Sequence, residues 1–124
     1  MLSQRLSFMR ILFVDNHPEF TSVVTRSFLA THDVVIVPTI AAARVAVQES
    51  RFDIALVDYD LDDGKGVEFV RWVRSSGSQL RLVAVSARRE GNEALVSAGA
   101  DSVCAKMDFA RIQLVIDGVP RAEN

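Results

Sequence analysis

Asp58 closes an apolar run, Phe52-Asp53-Ile54-Ala55-Leu56-Val57, and opens a loop that carries Asp60, Asp62 and Asp63. Asp15 closes a second run, Ile11-Leu12-Phe13-Val14. Ser86 follows a third, Leu82-Val83-Ala84-Val85, and Lys106 follows a fourth, Val103-Cys104-Ala105. If the four runs are parallel strands of one sheet, these side chains emerge at one edge, where open α/β sheets bind ligands. Two carboxylates, a hydroxyl and an ammonium gathered there suit a cation beside a phosphoryl group. Carboxylates about 5 Å apart repel by roughly 3 kcal/mol at an effective dielectric near 20, and Lys106 offsets one charge only. A divalent cation supplies the rest, and hard oxygen ligands favour Mg²⁺.

The elements that must position these residues follow from the spacing of apolar residues. Pro18 and Glu19 suit the first turn of a helix, along which Phe20, Val24 and Phe28 recur at four-residue intervals. Val34-Val35-Ile36-Val37 reads as a second strand stopped by Pro38, and Thr39 as the N-cap of an alanine-rich helix ending near Ser50. After the strand ending at Asp58, a loop with Gly64 and Gly66 leads to a helix carrying Val67, Val70 and Val73, with Gly77 as its C-terminal stop. Ala94, Leu95 and Ala98 form the buried side of a fourth helix ended by Gly99, and Phe109, Ile112, Val115 and Ile116 line a last one. Five strand–helix repeats with continuous apolar strands predict a single doubly wound (βα)5 domain, α/β in class. Its five-stranded parallel sheet has the order 2-1-3-4-5, with helices on both faces. That order makes the first and third strands neighbours and brings Asp15 and Asp58 to the switch-point crevice.

Bulk properties narrow the function classes. The 124 residues are one domain by size, 49% hydrophobic and 24% charged, with a net charge of −2. Acids and bases are mixed along the chain, so no basic stripe predicts nucleic acid and no cationic amphipathic helix predicts a membrane surface. The apolar runs are too short to span a bilayer, and a lone cysteine, Cys104, fits a reducing cytoplasm. Residues 1–8 read as a disordered arm or an over-long reading of the gene, 9–117 as the domain, and 118–124 as a tail too short for an output function.

Each residue also has a plainer reading. The acids of 58–63 could form a solvated turn, and Ser86 could cap the fourth helix. Lys106 is one of two lysines against twelve arginines, so a compact ammonium at this position is suggestive. Gly64-Lys65-Gly66 lacks phosphate-loop spacing and reads as a tight turn. His17 reads as a loop residue rather than a metal ligand, His32 as surface, and Trp72 as packing. Four strand ends with compatible groups outweigh the plain readings taken together.

The order and spacing of Ile11-Leu12-Phe13-Val14-Asp15-Asn16, the run from Phe52 to Leu61, Val85-Ser86-Ala87, and Gly99-Ala100-Asp101 through Lys106 resemble the receiver domain of two-component response regulators over residues 9–117. The resemblance implies that Asp58 accepts a phosphoryl group from a histidine kinase or histidine phosphotransfer protein. It also implies that Asp15, Asn16, Asp58 and the Asp60 backbone carbonyl hold Mg²⁺, and that Ser86 and Lys106 contact the phosphoryl oxygens. Asp60 and Arg88 lie where the family tunes dephosphorylation, and the face from the fourth to the fifth helix would meet a downstream partner. Such a domain is no enzyme; it promotes only its own phosphorylation and dephosphorylation.

Four positions depart from that family's pattern. Asn16 replaces an acid and should lower Mg²⁺ affinity. Met107 replaces a proline, disfavouring a cis bond; with Asp108 as N-cap it would staple onto Ile112. Val103 replaces an aromatic switch residue, and Asp62 a proline. Asn16, Met107 and Val103 motivate the alternative of a degenerate receiver that binds partners without phosphorylation. A flavin carrier of the same fold fits poorly, because acid-rich strand ends repel a flavin phosphate.

Overall fold

Strand β1 (Arg10–Val14) is an interior strand of the sheet, and both its faces are apolar: Ile11, Leu12, Phe13 and Val14 are fully buried. In this computed structural model residues 8–118 are described. The expected arm and tail lie outside them, apart from Phe8 and Gly118. The elements that follow are α1 (Pro18–Phe28), β2 (Asp33–Val37), α2 (Ile40–Glu49), β3 (Ile54–Val57), a short hairpin of β4 (Asp60–Leu61) and β5 (Gly64–Lys65), and α3 (Gly66–Ser75). Then come β6 (Arg81–Ala84), α4 (Arg89–Ala98), β7 (Ser102–Val103), a 3-10 helix (Lys106–Arg111) and α5 (Ile112–Ile116). The main sheet is parallel with order β2-β1-β3-β6-β7, the predicted 2-1-3-4-5 once the hairpin is set aside.

Period-two alternation divides the strand residues between two cores. Leu12, Val14, Ala55, Val57, Leu82 and Ala84 pack with Ile40 and Ala43 of α2, Phe69, Val70 and Val73 of α3, and Leu95 of α4. Ile11, Phe13, Ile54, Leu56 and Val83 pack on the opposite face with Val24 of α1 and Ile112, Val115 and Ile116 of α5. Burial on both faces is why these strands read as unbroken apolar runs.

The helix ends expected at Thr39, Gly77 and Gly99 are present. Thr39 Oγ1 accepts from the Ala42 N–H at 3.0 Å, and Gly77 and Gly99 hold φ of 82° and 130°. The last helix differs from its expectation. A 3-10 turn precedes α5, whose own N-cap is Arg111, and Met107, 90% exposed, does not staple onto Ile112. The chain enters the 3-10 helix directly at Lys106, with the Asp108 N–H bonded to the Ala105 carbonyl at 2.9 Å. Phe109 turns inward instead and stacks on Phe13, ring centroids 5.8 Å apart. Among the described residues no peptide bond is cis.

Candidate functional site

The register of the ladder delivers the site. Val14 pairs with Val57, so Asp15 and Asp58 are the next residues off two adjacent strands. Val57 pairs with Ala84 and Ala84 with Val103, which sets Ser86 and Lys106 just beyond the same edge. Backbone bonds continue past the strands: the Asp58 N–H reaches the Val14 carbonyl at 2.9 Å, and the Lys106 N–H the Ser86 carbonyl at 3.3 Å.

Lys106 Nζ lies 3.0 Å from Asp15 Oδ2 and 3.1 Å from Asp58 Oδ2. The aromatic face of Phe20 lies beneath this ammonium, 4.7 Å away. Asp15 is 2% and Asp58 4% exposed. Burial, and then the neighbouring Asp15 carboxylate, raise the pKa of Asp58 above its ordinary 3.8, with Lys106 and the Tyr59 N–H opposing them. Asp58, Lys106, Ser86 and Arg88 line one open cleft of about 400 Å³. Of the four residues expected to converge, Asp15 and Asp58 both meet Lys106, and Ser86 lines the cleft that Asp58 and Lys106 share.

The other acids of the loop go elsewhere. Asp60 pairs with Lys65 and, at 3.4 Å, with Arg88, and these partners, Lys65 first, hold its carboxyl below the usual value. Asp63 accepts from the Ile40 and Ala41 N–H groups at 2.7 and 3.1 Å, at the start of α2. Asp62 accepts from Asn16 Nδ2 at 2.8 Å. Ser86 does not cap α4, whose N-cap is Arg88; its hydroxyl accepts from the Arg88 N–H at 3.1 Å.

Several supporting residues escaped sequence reasoning. His17, expected to be only a loop residue, has Nδ1 2.9 Å from Asp15 Oδ1, 3.4 Å from Asp58 Oδ2 and 3.1 Å from Lys106 Nζ. Its signal was the Asp-x-His spacing, which lets Asp15 Oδ1 accept from the His17 N–H at 2.8 Å as in an Asx turn. Asn92 pairs its amide with both backbone groups of Ser86, accepting from the N–H at 2.8 Å and donating to the carbonyl at 3.1 Å. Gly66 and Gly91 are spacing residues: a Cβ on Gly66 would come within 2.0 Å of the Asp58 carbonyl oxygen, and one on Gly91 within 2.5 Å of Ser86 Oγ. A close backbone approach, beyond a tight turn, is what requires glycine at 66.

The donor set fits a hard divalent cation. Asp15, His17 and Asp58 each offer a ligand atom, and these lie within 4.8 Å of one another. Asn16 Oδ1 is buried without a hydrogen-bond partner, a rare state for such an atom away from ions, and buried Asp15 Oδ2 has only the charge contact from Lys106.

The sequence model of the response regulator receiver domain matches residues 11–117. The chain belongs to that family. Solved structures similar to this receiver share its fold. A LuxR-family two-component response regulator from Aurantimonas sp. SI85-9A1 is 24% identical with a TM-score of 0.79, over 91% of this chain and 85% of that one. The phosphorylated cyanobacterial phytochrome response regulator RcpA is 16% identical with a TM-score of 0.74, over 91% of each chain. The Mn²⁺-bound form of the response regulator Rcp1 is 17% identical with a TM-score of 0.73, over 90% of this chain and 93% of that one. No curated protein matches the receiver in sequence. No helix among its described residues is long and apolar enough to cross a membrane.

Proposed function

We propose that this receiver accepts a phosphoryl group on Asp58, in a Mg²⁺-dependent reaction with a phosphohistidine donor on a histidine kinase or phosphotransfer protein, and thereby alters a partner-binding face. The observation that carries the reading is the placement of Asp58 and Lys106 in contact, with Ser86 on the wall of the same cleft. The solved relatives with a phosphorylated receiver and with bound Mn²⁺ support it.

Asp58 Oδ attacks phosphorus while the bond from phosphorus to the donor imidazole nitrogen breaks; with a proton already on the other ring nitrogen of the phosphohistidine, the donor leaves as neutral imidazole and the receiver carries an acyl phosphate. Lys106, released from bridging two carboxylates, turns its charge to the phosphoryl oxygens, and the Ser86 hydroxyl exchanges its role as acceptor from Arg88 for a contact with them. Asp15, Asn16, Asp58 and the Asp60 carbonyl would hold Mg²⁺, which neutralises charge on the transferring group. Arg88 and Asp60, paired across the mouth, control access of water and so the lifetime of the acyl phosphate. The output face lies along α4, β7 and α5, whose helix α4 is tied to Ser86 through Asn92. The cytoplasm is the compartment proposed.

Incubation with acetyl phosphate and Mg²⁺ followed by intact mass is the test. A single phosphoryl adduct, lost in Asp58→Asn and without Mg²⁺, is expected. An unmodified wild type beside a labelled control receiver overturns the proposal.

A further inference from the structure

Two of the residues that depart from the family's pattern face each other. Asn16 Nδ2 donates to Asp62 Oδ1 at 2.8 Å. A carboxylate only accepts, so the amide end turned toward Asp62 is the nitrogen. The amide oxygen is thereby turned the other way, where Oδ1 is buried and accepts from nothing. Beside it Asp15, 2% exposed, holds an Oδ2 that likewise accepts no hydrogen bond in good geometry, with only a charge contact from Lys106 at 3.0 Å. A cavity of about 450 Å³ is lined by Asp15, Asn16 and Asp62 together with Pro18 and Pro38.

Asp62 is held in place by its own loop. It lies in the turn between β4 and β5, whose pairing joins Asp60 to Lys65 and Leu61 to Gly64. The adjacent Asp63 anchors that turn on the first N–H groups of α2. Asp62 is therefore positioned on the wall of this cavity by backbone, while its carboxylate spends one oxygen on Asn16.

Resting on the metal site of the proposed function, we propose that Asp62 is the outer-sphere acid of this receiver. It returns, one shell further out, the negative charge that Asn16 lacks, and it aims and polarises the Asn16 amide so that Oδ1 serves as a metal ligand. Carboxylates that hydrogen-bond a ligand's far side orient it and raise its basicity in this way. The two departures at 16 and 62 thus form one compensated pair. The reversed pair, an acid at 16 bonded to an amide at 62, would carry the same net charge with the same hydrogen bond. An acid at 16 beside the native Asp62 instead sets two carboxylates at hydrogen-bonding distance.

The test is Mg²⁺ affinity by titration calorimetry, and Mn²⁺ binding by electron paramagnetic resonance, on the wild-type chain, Asp62→Asn, Asn16→Asp and the double variant, with circular dichroism to confirm folding. Asp62→Asn should weaken binding on the order of 10- to 100-fold. Asn16→Asp alone should bring no gain, and combining the two should restore affinity close to wild type. Unchanged binding in Asp62→Asn, or tighter binding in Asn16→Asp alone, overturns the role of Asp62. Asp58→Asn separates the two levels. If wild type binds and that variant does not, the site stands whatever Asp62 does; if wild type binds no metal, the site and the inference both fall.

Discussion

Replacing Lys106 by methionine removes a charge and keeps most of the volume. Its ammonium is 3.0 and 3.1 Å from two carboxylates whose ligand atoms lie within 4.8 Å of each other, and its side chain is 13% exposed. At an effective dielectric near 20 the two acids repel by at least about 3.5 kcal/mol, and each lysine contact returns about 5 kcal/mol before desolvation. Desolvating the ammonium consumes much of that return, so the observable loss is that of breaking a buried pair, about 3 kcal/mol. The loss should depend on pH. Without Lys106 the pKa of Asp58, already raised, rises further, so the folded state binds that proton more tightly than the unfolded chain. That contribution is fully present below 3.8, the ordinary carboxyl value, and disappears as pH climbs through the folded value. The deficit against wild type therefore opens as pH rises. Mg²⁺ at about 100 times its dissociation constant should return about 2.7 kcal/mol to the variant. Urea unfolding followed by Trp72 fluorescence, at acidic and alkaline pH with and without Mg²⁺, reads all three effects. A loss that is small at every pH, or one that Mg²⁺ does not relieve, would refute the electrostatic account of the cleft.

Asp58→Asn should stabilise the metal-free protein at neutral pH, with the gain shrinking as pH falls toward 3.8, because a carboxyl with a raised pKa costs stability when ionised; unfolding curves across pH check this. Gly66→Ala must push the Asp58 carbonyl away from a contact of 2.0 Å, so both stability and acetyl-phosphate labelling should fall, whereas Gly77→Ala, with nothing within 4 Å, should lower stability alone. Asn92→Ala strips the Ser86 N–H of its partner and leaves the Ser86 carbonyl only the Lys106 N–H at 3.3 Å, so it should cost about 2 kcal/mol in urea unfolding, more than Thr39→Ala, a helix cap worth about 1 kcal/mol.

What the sequence conveyed, and what it withheld, divides along a physical line. The strand ends were readable because a parallel sheet buried on both faces imposes runs such as Ile54–Val57, and a polar residue that terminates one is conspicuous. Asp15, Asp58, Ser86 and Lys106 are all of that kind. Residues whose roles depend on contact between distant segments gave no comparable mark. Asn92 lies inside a helix, and nothing in its spacing says that its amide folds back on Ser86 six residues earlier. Phe20 followed the expected helical stripe, yet the stripe does not reveal that its ring supports Lys106. Met107 fitted a staple pattern that lost to tertiary packing, because it is Phe109 that turns inward to complete a cluster with Phe13 and Phe20, leaving Met107 exposed.

Val103 bears on how, under the proposed switch, a change in the cleft would reach α4. An aliphatic side chain there has no ring to swing, so the connection must run through backbone and packing. Ser86 already has one: its N–H and carbonyl are both bonded to Asn92, which is 6% exposed, and Gly91 lies so near that a methyl group would meet the hydroxyl. The loop after β6 and the first turn of α4 are therefore one mechanical unit, since shifting Ser86 alone would break two buried hydrogen bonds or overlap Gly91. Under the proposed phosphorylation, movement of Ser86 toward the phosphoryl oxygens carries α4 with it, and position 103 need only leave room. Asn92→Leu fills the same space without the two bonds. It should leave labelling of Asp58 intact while uncoupling it from α4, so hydrogen exchange across Arg89–Ala98 would no longer change on phosphorylation. Exchange that still changes as in wild type would show that the signal takes another route.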